Sequence, residues 1–457
     1  MPQSGATNAG RQAFERWASS KLVALPAFND DMPDETLAGI DAIIGSARLV
    51  GLSEAVHCAA EPLLMRNHLF KYLVRKHGFT AIAIESGLVE SRLAHDYVRN
   101  GQGALSDVVA KGLTWGFQHA PQNRDLIAWM RAYNEQPSAG RPISFYGFDM
   151  AGSPGGEGPA GADVALKQSL AFLDRIDIDA SQAFRTRVGV RLHAVQFSLM
   201  EPAPQSGYGS LSLEDRAILH TVIEDLIARF DDRRRDYIRR SSAEDFDWAR
   251  QCALASLQLD DWLAHIPVGW RPLAGRPTTA TASIGFLGAA NDVRDAAQAD
   301  NIDWILRREG PNARLLIFAS QYHLSATPVA SRFWADSTFG RRSVVAGVHL
   351  RQRYGADYVS IGNLIGGGEA ACGRYRSRFD RAPDWSLDGA LASLGVANFF
   401  LDLRTAPALP SQWLQGDHDL ALGGVAVMRL APAEANDALV YIDTVTPACC
   451  EDEAANV

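Results

Sequence analysis

Glu54 and His57, three residues apart in ARLVGLSEAVHCAAE (residues 47–61), set a carboxylate and an imidazole just after the apolar run Val50–Leu52. The two types suit proton transfer, since an imidazole titrates near neutral pH and a carboxylate can orient it and stabilise its cation. Three more apolar runs exit into polar groups: Glu85 ends TAIAIE, Asp149 ends ISFYGFD, and Ser320, Gln321 and His323 follow LLIFA. Arg66 stands nine residues beyond His57. Each has an ordinary structural reading as well. A histidine after a strand is commonly a satisfied structural group, Glu85 can cap a helix, Asp149 can cap a turn, and Arg66 can pair with Glu54 or Glu85 or face water. Their coincidence at four exits favours a site, because charges gather where catalysis shifts pKa values. Glu54, His57, Glu85 and His323 are also a donor set for a divalent ion, which would activate water by lowering its pKa.

Gathering these groups requires strands that point the same way. DETLAGIDAIIGSA reads as a helix and RLVGLS as a strand, while AEPLLMRNHLFKYLVRKHG has helical spacing and stops at Gly78. FTAIAIES is a second strand and LVESRLAHDYVRNG a helix; the helix NRDLIAWMRAYNEQ feeds the strand PISFYGFDM. Strand, helix and strand at short spacing mean parallel pairing. The four exits then share one carboxyl edge, where such sheets bind ligands. From about Asp163 to His265 only helical patterns occur. After them come the helix DVRDAAQADNIDWILRREG, the strand ARLLIFASQYHLS, and short strands in SVVAGVHL, YVSIGNLIG, NFFLDLR and GVAVMRL. The expectation is an α/β fold with a mostly parallel sheet flanked by helices. Residues 1–162 and 276–457 form its core, and residues 163–275 a helical insertion that makes a wall or lid over the carboxyl edge.

Composition narrows the classes. The chain has 457 residues, 47% apolar and 21% charged, enough to bury a large core. A net charge of −9 without a long basic block argues against nucleic acid or an anionic membrane as a partner. No basic start followed by an apolar core marks a signal peptide, and no run approaches a membrane span. Five scattered cysteines (Cys58, Cys252, Cys372, Cys449, Cys450) lack metal-ligand spacing, so a reducing cytoplasm is the expected setting. GEGPAG (156–161) matches a dinucleotide fingerprint literally, but Pro159 interrupts it and no acid-ended strand follows. GGGEAACG near Gly366 lacks the lysine of a phosphate loop, and no G-x-S-x-G elbow occurs. No cofactor is implied.

The stretch GLSEAVHCAAEPLLMRNHLFKYLVRKHGFTAIAIES resembles the opening motif of the erythromycin esterase-like proteins, which include proteins labelled for succinoglycan biosynthesis. LIAWMRAYN, FYGFDM, VRDAAQADNIDWIL and RYGADYVSIG continue the likeness in order, from about residue 45 to 430. The resemblance implies functional roles for Glu54, His57, Arg66 and Glu85, and esterase activity on macrolide lactones through activated water without a covalent intermediate. Two histidines three apart usually follow the strand at LLIFA in that family; here Ser320 takes the first place and His323 the second. Cys58 stands where the family has glycine after the motif's histidine. On this reading His57 or His323 is the base, Glu85 or Glu54 orients it, and Arg66 or a protonated histidine holds the oxyanion. Ser320, Gln321 and Asp149 contact a small ester or lactone, with Ser320 a less favoured nucleophile. The alternatives are metal-dependent hydrolysis by the same cluster, or a relic that binds without turnover.

Overall fold

The computed structural model describes residues 6–28, 32–136, 140–150, 163–194, 208–265, 285–332, 339–373, 375–422 and 427–449. Thirteen strands occur among them. They are β1 (Val23–Ala24), β2 (Leu49–Glu54), β3 (Ala81–Gly87), β4 (Ser144–Asp149), β5 (Leu315–Ser320) and β6 (Ala330–Arg332). Then come β7 (Tyr358–Ile365), β8 (Gly368–Cys372), β9 (Tyr375–Phe379), β10 (Asn398–Asp402), β11 (His418–Leu420), β12 (Val427–Leu430) and β13 (Ala438–Ile442). Eight form one sheet in the order β1-β10-β13-β7-β2-β5-β3-β4. From β13 to β4 every neighbour pairs in parallel; β1 and β10 make the antiparallel edge. The α/β class and the mostly parallel sheet are as the alternating pattern implied.

The central strands are apolar on both sides, as a sheet covered by helices on each face must be. Val50, Leu52, Ile82, Ile84, Leu316 and Phe318 face the core that includes Leu63, Leu69 and Phe70 of the helix Ala60–His77. The alternate residues Leu49, Ala81, Ala83, Leu315, Ile317 and Ala319 face Ala299, Ile302 and Ile305 of the helix Gly285–Glu309. Gly78 ends the helix Ala60–His77 in the left-handed conformation expected of such a stop.

Between Val164 and Leu263 the described residues are helical, with a core of their own that includes Leu170, Val222, Phe230, Tyr237 and Trp262. This unit holds the β4 edge of the sheet. Trp248 stacks on Tyr146 of β4 and meets Trp304 edge-on, with ring centroids 6.2 and 4.9 Å apart. Met150, the residue after β4, belongs to the unit's core. The boundary expected at 275 and the GEGPAG stretch lie outside the described residues.

Two expectations change. SVVAGVHL is extended only around Ser343, which bridges Val329, and then becomes the helix Ala346–Tyr354. Its backbone is caught by Asp295, whose Oδ1 accepts from the Ala346 N–H at 2.8 Å, and tertiary capping overrides the β-branched run. The cysteines are not all separate thiols either. Cys58 and Cys372, 314 residues apart, form a disulfide, so the expectation of a fully reduced chain fails. No helix among the described residues is long and apolar enough to cross a membrane.

Candidate active site

β2, β5, β3 and β4 are adjacent, so their carboxyl ends present Glu54, Ser320, Glu85 and Asp149 along one edge. Glu54 pairs in register with Ser320, and Ile84 with Phe318. Between β3 and β4 the register slips: Ile84 faces Gly147 while Gly87 faces Asp149. Two residues, Glu85 and Ser86, thus oppose one, a bulge of the kind that re-aims a side chain. Gly147 permits it, because a Cβ there would lie 2.4 Å from the Ser86 carbonyl oxygen.

Glu54 is wholly buried, whereas the His57 side chain keeps 45% of its surface exposed. His57 Nδ1 lies 2.7 Å from Glu54 Oε1, and Phe117 meets the ring edge-on. The turn that carries His57 is pinned by Ala55 N–H, which donates to Asn363 Oδ1 at 2.9 Å. Burial works against a charge on His57, but the Glu54 and Glu85 carboxylates outweigh it and raise its pKa to about 9. Burial also raises Glu54, opposed by His57.

The second half of the site is a chain of buried ions. His323 places Nδ1 2.8 Å from Asp295 Oδ1 and Nε2 3.1 Å from Glu85 Oε1. Ionised carboxylates only accept hydrogen bonds, so both ring nitrogens must carry protons. Burial opposes that charge, yet Asp295 and Glu85 raise His323 to about 10. Arg294 binds Asp149 Oδ1 through Nε at 3.0 Å, Asp149 Oδ2 through Nη2 at 2.6 Å, and Glu85 Oε1 through Nη2 at 3.0 Å. Its guanidinium lies over the Trp115 ring at 4.9 Å, and Trp115 Nε1 donates to Asp149 Oδ2 at 2.8 Å. Against burial, His323, His57 and Arg294 hold Glu85 well below the usual carboxylate range. Burial works against the charge on Asp149 too, and Arg294 outweighs it and lowers the Asp149 pKa.

The structure thus brings Glu54, His57, Glu85, Asp149 and His323 together, and adds Arg294 and Asp295, to which the sequence reading gave no role. Three expected contacts with a substrate or oxyanion are redirected inward. Gln321 is wholly buried: its Oε1 accepts from Asn363 N–H and its Nε2 donates to Asn436 Oδ1. Asp149 has no exposed surface, and Trp115, Arg294, Gln298 and Met150 N–H occupy its oxygens. Arg66 is also wholly enclosed, bound to Asn67 Oδ1 and set over the Phe318 ring, and has no exposed surface to offer a substrate. Burial lowers its pKa to about 9, and Glu54 opposes that.

Ser320 is a cap. Its N–H donates to Glu85 Oε2 at 2.8 Å, and its Oγ accepts from Tyr322 N–H at 3.4 Å, which gives no support to a nucleophile. Among the described residues, groups whose donor atoms could gather about one ion are His95, Asp96 and Glu244, and His220, Asp260 and Asp261. The edge cluster is not one of them, its donor atoms not gathering within 4.8 Å of one another. The donor set does not fit the divalent ion of the alternative reading.

A model of the family described as erythromycin esterase matches residues 74–445, beginning just after Arg66. The chain is 23% identical over 415 residues to an erythromycin esterase type II of Escherichia coli, covering 86% of this chain and 90% of that one. It is 27% identical over 135 residues to an Escherichia coli erythromycin esterase type I, 29% of this chain and 31% of that one. A Bacillus cereus protein of known structure superposes with a TM-score of 0.75 at 22% identity, over 96% of this chain and 98% of the other. A protein described as succinoglycan biosynthesis protein gives 0.72 at 19%, over 97% and 99%. An erythromycin esterase mutant in its open conformation gives 0.65 at 18%, over 91% and 95%.

Proposed function

Because the chain belongs to the erythromycin esterase family, we propose that it hydrolyses a carboxylic ester or lactone with water activated at the Glu54–His57 pair. The observation that carries this reading is the contrast within the pair: a fully buried carboxylate lies 2.7 Å from a histidine whose ring opens to solvent. Unprotonated His57 takes a proton from water, and the hydroxide oxygen attacks the acyl carbon. Glu54 stabilises the imidazolium that forms. The oxyanion is met by fixed positive charge from Arg294 and His323. Among the described residues Arg294 makes its hydrogen bonds through Nε and Nη2, and Nη1 is the atom it would offer the substrate. Collapse of the tetrahedral intermediate returns the His57 proton to the leaving alkoxide.

The ligand in this reading is a small ester or lactone, walled on the β4 side by the helical unit. A panel of simple acyl esters, small lactones and a macrolactone, assayed with wild type and His57→Ala, tests it. Turnover of at least one member, lost in the folded variant, supports the reading. A wild type that binds members of the panel and turns over none would overturn it in favour of a binding protein.

A further inference from the structure

We propose that the Cys58–Cys372 disulfide is a positioning element of this site, a covalent strap that keeps the turn after β2 in the conformation that sets His57 on Glu54. The inference rests on the reading of His57 as the working histidine.

Cys58 follows His57 directly and has φ +65°. Side chains rarely adopt that left-handed conformation, and it persists only where the surroundings impose it. Here the surroundings include the bond to Cys372 at the end of β8, with the two Cα atoms 5.3 Å apart. The Cys58 carbonyl accepts from Ala371 and Ala448 N–H at 2.9 and 3.0 Å. These hydrogen bonds fix the peptide after Cys58. The disulfide fixes Cys58 itself, and so the peptide that leads back to His57.

The strap also closes a ring of contacts around the imidazole. Cys372 Sγ lies 3.5 Å from the Gly116 carbonyl oxygen, and the next residue, Phe117, meets the His57 ring edge-on with centroids 5.8 Å apart. Trp115, two residues before Phe117, also has positive φ and binds Asp149. One covalent bond therefore ties the His57 turn to the β8–β9 hairpin, whose Cys372 end lies against the loop that carries Trp115 and Phe117.

A dithiol breaks the strap. Two electrons and two protons pass to the sulfurs, Cys58 and Cys372 become thiols, and the dithiol closes to its own disulfide. Both cysteines are buried, so a small reagent such as dithiothreitol is required. Once released, Cys58 can leave positive φ, and His57 loses its fixed approach to Glu54.

The test reads His57 without any substrate. Diethyl pyrocarbonate acylates unprotonated imidazole, and peptide mapping isolates His57 from the other histidines. The rate is followed against pH for oxidised protein, dithiothreitol-treated protein, Cys372→Ser and the double variant Cys58→Gly/Cys372→Ser. The midpoint in the reduced and Cys372→Ser proteins should fall by about 1 pH unit, or about tenfold in proton affinity. Glycine takes positive φ freely, so the double variant should keep the oxidised midpoint and ignore dithiothreitol. A single midpoint in oxidised, reduced and Cys372→Ser protein would overturn the inference. So would recovery of Cys58 and Cys372 as free thiols from untreated protein. Neither result depends on whether an ester is hydrolysed.

Discussion

His57 and Glu54 carry a consequence for stability as well as chemistry. Glu54 is fully enclosed and its Oε2 has no hydrogen-bond partner among the described residues, so the bond from His57 is the main balance to the carboxylate. His57→Ala should therefore cost about 1–3 kcal/mol at pH 7, the usual penalty for a buried acceptor left unpaired. A rim histidine judged from sequence alone suggests less than that. The raised His57 contributes stability to the wild type that is full below its unfolded value near 6.5 and is lost as pH rises through about 9. The cost of His57→Ala should therefore shrink as the pH is raised from 7 to 10, and urea unfolding of both proteins at those two values measures the difference. Glu54, His57, Glu85, Asp149 and His323 were legible because each is a polar residue that ends or follows an apolar run, a signal a few residues long. Whether such a residue faces the cleft or the interior was not legible. Gln321 and Arg66 are exit and helix residues like the others, and neighbours distant in the chain, Asn363 for Gln321 and Phe318 for Arg66, help to turn them inward.

At the scale of elements, the helix Gly285–Glu309 was legible as a helix but its part in the site was not. It reads as one more charged helix, yet Asp295 and Gln298 on it are wholly buried and Arg294 nearly so. Their partners, Asp149, Glu85 and His323, lie 28 to 209 residues away. Asp295 both holds His323 and caps the helix Ala346–Tyr354. Asp295→Asn should cost about 3–5 kcal/mol, as removing one partner of a buried ion pair does, and denaturant unfolding checks it. The raised His323 stabilises the fold fully below its unfolded value near 6.5 and loses that contribution as pH climbs through about 10. Asp295→Asn should bring that alkaline loss to lower pH. Ser320→His would place a second imidazole beside Glu85 and remove the cap on Tyr322 N–H. We expect a melting temperature a few degrees lower, a cap being worth about 1 kcal/mol; a rise in macrolactone turnover would show that the missing imidazole limits the enzyme. A folded variant with no gain would show that this imidazole does not limit the enzyme.

Over the whole molecule, the alternation of strands and helices revealed a parallel sheet, whereas the packing of the helical stretch against β4 rests on contacts such as Trp248 with Tyr146 that no local pattern shows. The cross-link was beyond reach, because spacing in the sequence says nothing about two cysteines 314 residues apart. A bond that closes so long a loop limits the unfolded chain, and reduction should lower stability by about 2–5 kcal/mol. Calorimetry with and without dithiothreitol reads that directly, and an unchanged melting temperature would show that the bond contributes nothing to the fold.

The central claim is that Glu54 tunes His57 as the base that activates water. The pH dependence of kcat/KM on one confirmed ester, for wild type and Glu54→Gln, tests it most directly. An unprotonated imidazole is the active form, so the wild-type rate should climb with pH through about 9. In Glu54→Gln the midpoint should fall toward about 6.5, the ordinary value of histidine, with a lower plateau. A wild-type profile already flat above pH 7, or the same midpoint in both proteins, would contradict the account.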